Sequence, residues 1–174
     1  YGGYYRGYGF LGADDNLTVY ATDSGGSLAG TISYDVPITT SGTRIAGSYT
    51  RSSIVVVDGP DALLHVTGKS QAASLTLSQP LIANSNWSVL ASLAGVYGTS
   101  NSDAGAVPLV DSTTTKEVLG LSINYTDTGR SFSFAPQLIF AHEDDDIAGA
   151  GAAFTLGAGR VSAAYSLGKE WSVN

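Results

Sequence analysis

The sequence predicts an all-β protein that folds as an antiparallel, up-and-down transmembrane β-barrel. Three observations support this prediction: few charged residues in a hydrophobic chain, a repeated alternation of apolar and polar residues, and connections that alternate between short and long. About ten strands are expected in the 174 residues. They are expected to form a single domain, 1–174, that is part of a larger barrel.

The composition is unusual for a water-soluble domain. Hydrophobic residues make up 43% of the chain and charged residues only 13%, where about 25% charged residues is typical of globular proteins. A chain with so few charges has little surface that faces water. The 22 glycines and 10 tyrosines favour strands and tight turns over helices, which are richer in Glu, Lys, Gln and Arg.

Charge and sulfur content argue against several classes of function. The chain has no Cys and no Met, which removes disulfides and sites for soft metals. A net charge of -7 with 8 scattered basic residues argues against nucleic-acid binding, because phosphate contacts need clustered Lys or Arg. No segment reaches the length of apolar sequence that a transmembrane helix requires. We therefore expect no cofactor, no metal site and no nucleic-acid partner.

Five predicted strands justify the barrel wall through their alternation, since successive side chains of a strand point to opposite faces. The apolar rows are, in chain order, Leu28, Gly30, Ile32, Tyr34, Val36 and Ile38; Trp87, Val89, Ala91, Leu93 and Tyr97; Leu119, Leu121, Ile123 and Tyr125; Phe132, Phe134, Leu138 and Phe140; and Val161, Ala163, Tyr165 and Leu167. The rows that alternate with them are Ala29, Thr31, Ser33 and Asp35; Asn86, Ser88, Ser92 and Ala94; Gly120, Ser122, Asn124 and Thr126; Ser133, Ala135, Gln137 and Ala141; and Ser162, Ala164 and Ser166.

The polar rows distinguish a barrel lumen from the outer face of a soluble sandwich. They consist almost entirely of Ser, Thr, Ala, Gly and Asn, whereas a water-facing sheet usually carries Lys, Glu and Arg. Six aromatic residues also fall near predicted strand ends, where an aromatic girdle would meet lipid headgroups. These residues are Tyr34, Tyr49, Trp87, Tyr97, Tyr125 and Tyr165. Alternatively, the aromatics simply fill ordinary strand positions.

Connection lengths predict the orientation of the barrel. The predicted strands are 4–11, 16–22, 28–38, 43–53, 66–81, 86–98, 116–126, 130–141, 149–156 and 160–168. Short connections are expected at 12–15, 39–42, 82–85, 127–129 and 157–159, and long ones at 23–27, 53–65, 99–115 and 142–148. Bacterial barrels have short periplasmic turns and longer loops on the other rim. Odd strands are therefore expected to run toward the periplasm.

Two prolines lie near the ends of descending strands, where a missing backbone N–H costs little. The residues around Pro37 and Pro80 are similar to the barrel of two-partner secretion transporters of the haemolysin-activator type. The stretches that carry this resemblance are 33–37, Gly42, 45–49, 52–53, 68–70 and 75–81. The opening Gly2-Gly3-Tyr4-Tyr5-Arg6, followed by 15–17, also resembles the Gly-rich first strand of that family. The resemblance extends over roughly residues 1–130.

The resemblance implies a function in the outer membrane of a bacterium. Members have a sixteen-stranded barrel, periplasmic POTRA domains, a plug helix and a secreted partner exoprotein. Arg6-Gly7-Tyr8 matches the tripeptide of the family's inward-folded loop, but that loop precedes only the last few strands of the family's barrel, so Arg6 is assigned to a strand instead. We expect the functional loop beyond Asn174, and the chain to be the front part of a barrel.

An acidic segment is the candidate for catalysis or cation binding. His142 to Asp146 reads His-Glu-Asp-Asp-Asp, in which a His beside carboxylates could orient a base and consecutive Asp could bind a hard cation. The alternative is a solvated acidic loop. His65, with Asp58 and Asp61 nearby, lies on another predicted loop. No Gly-x-Ser-x-Gly elbow or phosphate-binding Gly loop is present, and we expect no enzyme activity.

Lumen-facing polar residues are the remaining candidates for function. Asp35, Arg44, Asn124 and Gln137 are predicted to point inward. Asp35 and Arg44 could pair across one short hairpin, or they could contact a plug or a passing unfolded chain. The sequence therefore predicts export of a partner exoprotein, with outer-membrane lipid around the barrel. The alternatives are a small self-contained barrel acting as a passive porin or structural surface protein, and a rim-active hydrolase that depends on His142.

Overall fold

A single antiparallel sheet makes up the fold. The computed structural model describes residues 1–12, 14–56, 66–105, 107–128, 130–147 and 149–167. The strands are β1 (Gly2–Tyr8), β2 (Asn16–Ser24), β3 (Ser27–Pro37), β4 (Arg44–Val55), β5 (Val66–Ala83), β6 (Trp87–Ala104), β7 (Val107–Asp127), β8 (Arg130–Ile147) and β9 (Ala150–Leu167). Each strand pairs with its neighbours in sequence, from β1 to β9. The all-β class and the up-and-down antiparallel order are confirmed.

The sheet is not closed within the described residues. Its order begins at β1 and ends at β9, and each of these two strands pairs on one edge only. The part of the chain that the structure describes contains no helix long and apolar enough to cross a membrane.

The prediction of ten strands is wrong at the end of the sheet, where two predicted strands form one. Residues 149–156 and 160–168 join as β9, and Gly157 and Gly159 pair with Phe140 and Leu138 of β8 without a turn. Glycine permits a turn but does not impose one. The uninterrupted partner strand β8 supplies a ladder through the glycine pair, so the backbone stays extended.

The predicted alternation of short and long connections is also wrong. β6 continues to Ala104 and β7 begins at Val107, so 99–115 is mostly strand; β8 likewise continues to Ile147 through the predicted loop 142–148. The connection between β1 and β2, predicted to be short, runs from Gly9 to Asp15. Polarity suggested loops at these places, but Thr is a good strand former, and the threonines of 113–115 pair along both neighbouring strands. Most of the predicted long connection 53–65 lies outside the described residues.

The turn between β3 and β4 requires glycine at position 42. Gly42 has a φ of 86°, a left-handed conformation that side chains disfavour. Its N–H donates to the carbonyl oxygen of Thr39 (3.2 Å), and the N–H of Ile38 donates to that of Thr43 (2.8 Å). A Cβ at Gly42 would lie 3.0 Å from Cγ of Pro80. The turn is therefore held by backbone geometry and by close packing on β5.

Gly42→Ala is expected to lower the free energy of unfolding by about 1–2 kcal/mol, the usual cost of a side chain in this conformation, with the Pro80 contact adding to it. Gly12→Ala is the matched control, since Gly12 has a φ of 74° and nothing within 4 Å of an added Cβ. Equilibrium urea unfolding measures both variants. Equal losses would show that the contact with Pro80 contributes nothing.

Candidate functional site

The described residues form no hydrophobic core. No hydrophobic side chain among them is buried, and Leu93, Leu119 and Leu138 are each about half exposed, at 53%, 52% and 51%. A soluble sheet normally buries one face against another layer of structure. The large apolar side chains of this sheet are therefore available to a surrounding apolar medium or to another protein surface.

Strand register collects these apolar side chains on one face of the sheet. Residues directly opposite in an antiparallel pair share a face, and one paired row crosses six strands through Val36, Ile45, Leu77, Leu93, Leu119 and Leu138. We call the side of the sheet that bears this row the apolar face. The opposite side, which bears Thr31, Ser48 and Asn124, is the polar face.

A paired aromatic row borders the apolar face at one end. Trp87 lies opposite Tyr125, Tyr125 opposite Phe132, and Phe132 opposite Tyr165. The rings of Trp87 and Tyr125 pack with their centroids 4.8 Å apart and their planes at 48°. All six aromatic residues predicted as a girdle lie on the apolar face. Tyr49 lies inside β4, as it does in the predicted strand 43–53, and Tyr97 lies inside β6 because β6 continues to Ala104.

Polar residues replace apolar ones on the apolar face beyond Tyr49 and Tyr97. On β4 the next residue of this face is Arg51, and on β6 the next are Thr99 and Asn101. On β7 the change occurs slightly earlier, at Glu117. The apolar band of β6 thus covers 87–97, a length that matches the 9–11 residues that a transmembrane strand needs.

The polar face is built from small hydroxyl side chains that bond across the strands. Three direct cross-strand pairs have oxygen–oxygen distances of 3.0, 2.7 and 2.8 Å, and they are Thr31 with Thr50, Ser48 with Ser74, and Ser52 with Ser70. Such pairs satisfy each other's hydrogen bonds and leave a surface with little charge. All four residues predicted to point into a lumen, Asp35, Arg44, Asn124 and Gln137, lie on this face.

Arg44 joins the β3–β4 hairpin to the connection before β2. Its Nε donates to Oδ1 of Asp35 at 2.6 Å, and its Nη2 donates to the carbonyl oxygen of Asp14 at 2.9 Å. Nη1 also lies 3.6 Å from Oδ2 of Asp14. The side chains of Arg44 and Asp35 are about one-third exposed. The predicted cross-hairpin pair thus exists, and it holds a second carboxylate.

The other two polar-face candidates lie far from this pair. Asn124 donates from Nδ2 to Oγ of Ser122 at 3.0 Å. Gln137 lies opposite Gly120 on one side and Arg160 on the other. Because Asp35 and Arg44 are on β3 and β4 while Asn124 and Gln137 are on β7 and β8, the sheet separates the candidates into two groups.

Asp15 is a structural residue that sequence reasoning missed. Among the described residues, Asp15 is the one charged residue that is fully buried. Its Oδ2 accepts hydrogen bonds from the hydroxyl of Tyr34 and from the N–H of Leu11 (3.1 Å). These donors hold the pKa of the Asp15 carboxyl below its ordinary value. The stabilisation is present at neutral pH and is lost only as the pH falls through that lowered pKa. Asp15 thus fastens the Gly9–Asp15 connection to β3.

The acidic segment is strand rather than loop, which corrects the sequence prediction. Alternation places His142, Asp144 and Asp146 on one side of β8, and Glu143 and Asp145 on the other. Consecutive aspartates therefore cannot surround one cation, and no group of metal-ligand residues close enough to hold one occurs among the described residues. His65, Asp58 and Asp61 lie outside the described residues.

His142 contacts both a hydroxyl and a carboxylate. Its Nδ1 is 2.9 Å from Oγ1 of Thr155, and its Nε2 is 3.4 Å from Oδ2 of Asp144. The side chains of His142 and Asp144 are more than half exposed, so water solvates them. The backbone of β8 around His142 is paired with β7 on one side and with β9 on the other.

Comparison with known proteins yields no relative: no family model, no curated protein and no solved structure matches the chain. The class of protein is therefore defined by the fold and its two faces. It is an antiparallel β-meander with an apolar band on one face and small hydroxyl residues on the other.

Proposed function

We propose that this chain forms part of the wall of a transmembrane β-barrel in the outer membrane of a bacterium, with its apolar face toward lipid. The observation that carries the proposal is an apolar band on one face of a sheet whose described residues bury no hydrophobic side chain. In water this exposure would be unfavourable, since moving a large apolar side chain fully out of water contributes about 1.5–3 kcal/mol of favourable free energy. In a bilayer, the same face is satisfied by acyl chains.

The dimensions of the band support this proposal. At about 3.3 Å per residue, the segment from Trp87 to Tyr97 is about 33 Å long. Strands of outer-membrane barrels tilt by about 40°, which reduces this length to about 25 Å along the membrane normal. That value equals the usual height of the apolar band of such barrels. Aromatic residues at both limits, Trp87 and Tyr97, fit the positions of headgroup-level girdles.

The proposal requires further strands at the two open edges. Within a bilayer, every backbone N–H and C=O must find a partner inside the protein. The outer edges of β1 and β9 have none in the described sheet, so strands from elsewhere in the protein or from a partner chain would complete the barrel.

We further propose that the polar face lines a conduit for a partner exoprotein, as the resemblance to two-partner secretion transporters implies. Small Ser and Thr side chains leave room for an extended chain and bind it weakly, and the pairing of Arg44 with Asp35 removes a strong charge that would hold cargo. Folding of the cargo outside the cell would supply the driving force, without covalent chemistry. A hydroxyl-lined face also suits a passive pore, which would conduct small solutes but show no blockage by an unfolded exoprotein.

Two tryptophan variants test which face meets lipid. Trp87→Phe with Trp171→Phe removes both native indoles, and Leu77→Trp or Thr76→Trp then adds one on the apolar or the polar face. In lipid vesicles, we expect brominated acyl chains to quench Leu77→Trp strongly and Thr76→Trp weakly, and aqueous iodide to do the reverse. Equal quenching of the two neighbours by brominated lipid would contradict the proposal.

A further inference from the structure

Two basic residues lie on the apolar-face side of the sheet, directly beyond the band. Arg51 lies opposite Gln71, and Lys69 lies opposite Ser53, so the two cations are diagonal neighbours about 7–8 Å apart at their backbones. Arg51 is the first residue of its face after Tyr49. The positive charges therefore begin at the first position of this face beyond Tyr49, the aromatic residue that ends the band on β4.

Polar donors surround these cations and form a shallow concavity of about 170 Å³. The side chains of this face that line it are Arg51, Lys69, Gln71, Thr99 and Asn101; we call these residues the basic patch. Ser70 also borders the concavity, but its hydroxyl bonds to Ser52 on the polar face. The hydroxyl of Tyr49 donates to Oε1 of Gln71 at 3.1 Å. Because this bond occupies the amide oxygen, the Nε2 donors of Gln71 remain for a ligand.

Two carboxylates lie near the basic patch by register, but neither forms an ion pair with Arg51 or Lys69 in the described part of the chain. The ion pairs among the described residues involve Arg44 and His142 and include neither Arg51 nor Lys69. By register, Asp103 is diagonal to Lys69, and Asp111 lies one strand beyond Asn101. Two cations with amide and hydroxyl donors match a phosphate group, which guanidinium binds through two hydrogen bonds and ammonium binds as a point charge.

We propose that the basic patch binds the phosphate of an anionic lipid headgroup; this inference rests on the proposed function. Its position beyond Tyr49 places it at headgroup level when the apolar band lies in the acyl chains. The acidic residues of the same side, Asp103 on β6 and Asp111, Asp144 and Asp146 on β7 and β8, repel such headgroups, so the binding is confined to Arg51, Lys69 and the polar side chains beside them.

The variant Arg51→Gln with Lys69→Gln tests the site in the complete protein. Its matched control is Lys116→Gln with Arg160→Gln, which removes the same charge from the polar face. Each protein is placed in phosphatidylcholine nanodiscs with a minor fraction of phosphatidylglycerol, and bound phosphatidylglycerol is measured by native mass spectrometry. We expect its affinity to fall about 25-fold in the first variant, a factor of about five for each basic residue at an anionic surface, and to be unchanged in the control.

The outcomes separate this inference from the proposed function. An equal loss of affinity in both variants, or no loss in the first, overturns the lipid site while membrane insertion stands. Failure of the unaltered protein to insert overturns the proposed function itself. Displacement of phosphatidylglycerol by an equal concentration of inorganic phosphate shows a simple anion site and overturns the assignment to lipid; persistence of the bound lipid under that competition supports it.

Discussion

Leu93→Arg is expected to destabilise the membrane-embedded protein by about 2–4 kcal/mol, the cost of a cation on the lipid-facing side of a barrel at the bilayer midplane. Leu93 lies near the middle of the apolar band and is 53% exposed. It pairs with Leu77 and Leu119, which lie in the same apolar row. The carboxylate nearest to this position by register is Glu117, diagonal to Leu93 on the same face, so the Arg side chain must bend toward that end of the band.

The neighbouring variant Ala94→Arg provides the control, because Ala94 points to the polar face between Thr76 and Val118. We expect its effect to be below about 1 kcal/mol, as is usual for substitutions that water can solvate. Urea-dependent folding into phospholipid vesicles measures both variants. If Leu93→Arg costs no more than Ala94→Arg, the apolar face does not meet lipid, since a half-exposed Leu on a soluble surface tolerates a charge.

The faces of the sheet could be predicted because they depend on local geometry alone. Successive residues of a strand alternate sides whatever the partner strand is, so apolar rows such as Leu119, Leu121 and Ile123 can be recognised from the sequence. The structure places Asp35, Arg44, Asn124 and Gln137 on the opposite face for the same reason. The order of the strands also follows simply, since a hairpin is the shortest connection between antiparallel neighbours.

The end of β6, the start of β7 and the end of β8 could not be predicted, because they depend on the partner strand. The sequence from Thr99 to Thr115 is polar and suggests a loop, yet its threonines gain a continuous ladder between β6 and β8. Gly157 and Gly159 suggest a turn because glycine is common in turns. Both are nevertheless extended, because they pair with Phe140 and Leu138 of β8. The change from apolar to polar sequence therefore marks the end of the apolar band of β6, at Tyr97, and not the end of the strand, at Ala104.

Contacts between distant residues were visible only in part. Arg44 and Asp35 were accessible to sequence reasoning because one short hairpin joins them. Asp15 was not, because the hydroxyl of Tyr34 reaches it from another strand, and a tyrosine near a strand end gives no sign that its hydroxyl has a buried partner. Predicting this contact would require knowing that Asp15 packs against Tyr34 of β3, which the sequence does not indicate.

Arg44→Ala is expected to lower the free energy of unfolding by about 1–2 kcal/mol. Charge-assisted hydrogen bonds are worth about 1.5–3 kcal/mol, and the exposure of about one-third for Arg44 and Asp35 reduces this through solvent screening. The loss includes repulsion between Asp35 and Asp14, which both contact Arg44. Adding Asp35→Ala should recover part of the loss, because the carboxylate that loses its partner is then removed. Urea unfolding of the two single variants and the double variant measures this coupling.

The same double variant tests whether Asp35 and Arg44 take part in the proposed conduit. If Asp35 and Arg44 face a lumen, replacing both by Ala widens it and removes a fixed dipole, so single-channel conductance should rise and export of the partner exoprotein should change. Asn124→Ala with Gln137→Ala is the matched control, because it removes two uncharged side chains of the same face on β7 and β8, and it should alter conductance less. Unchanged conductance and unchanged export in the Asp35 and Arg44 double variant would show that these residues only fasten the β3–β4 hairpin. Asp35 and Arg44 would then have no part in the proposed conduit.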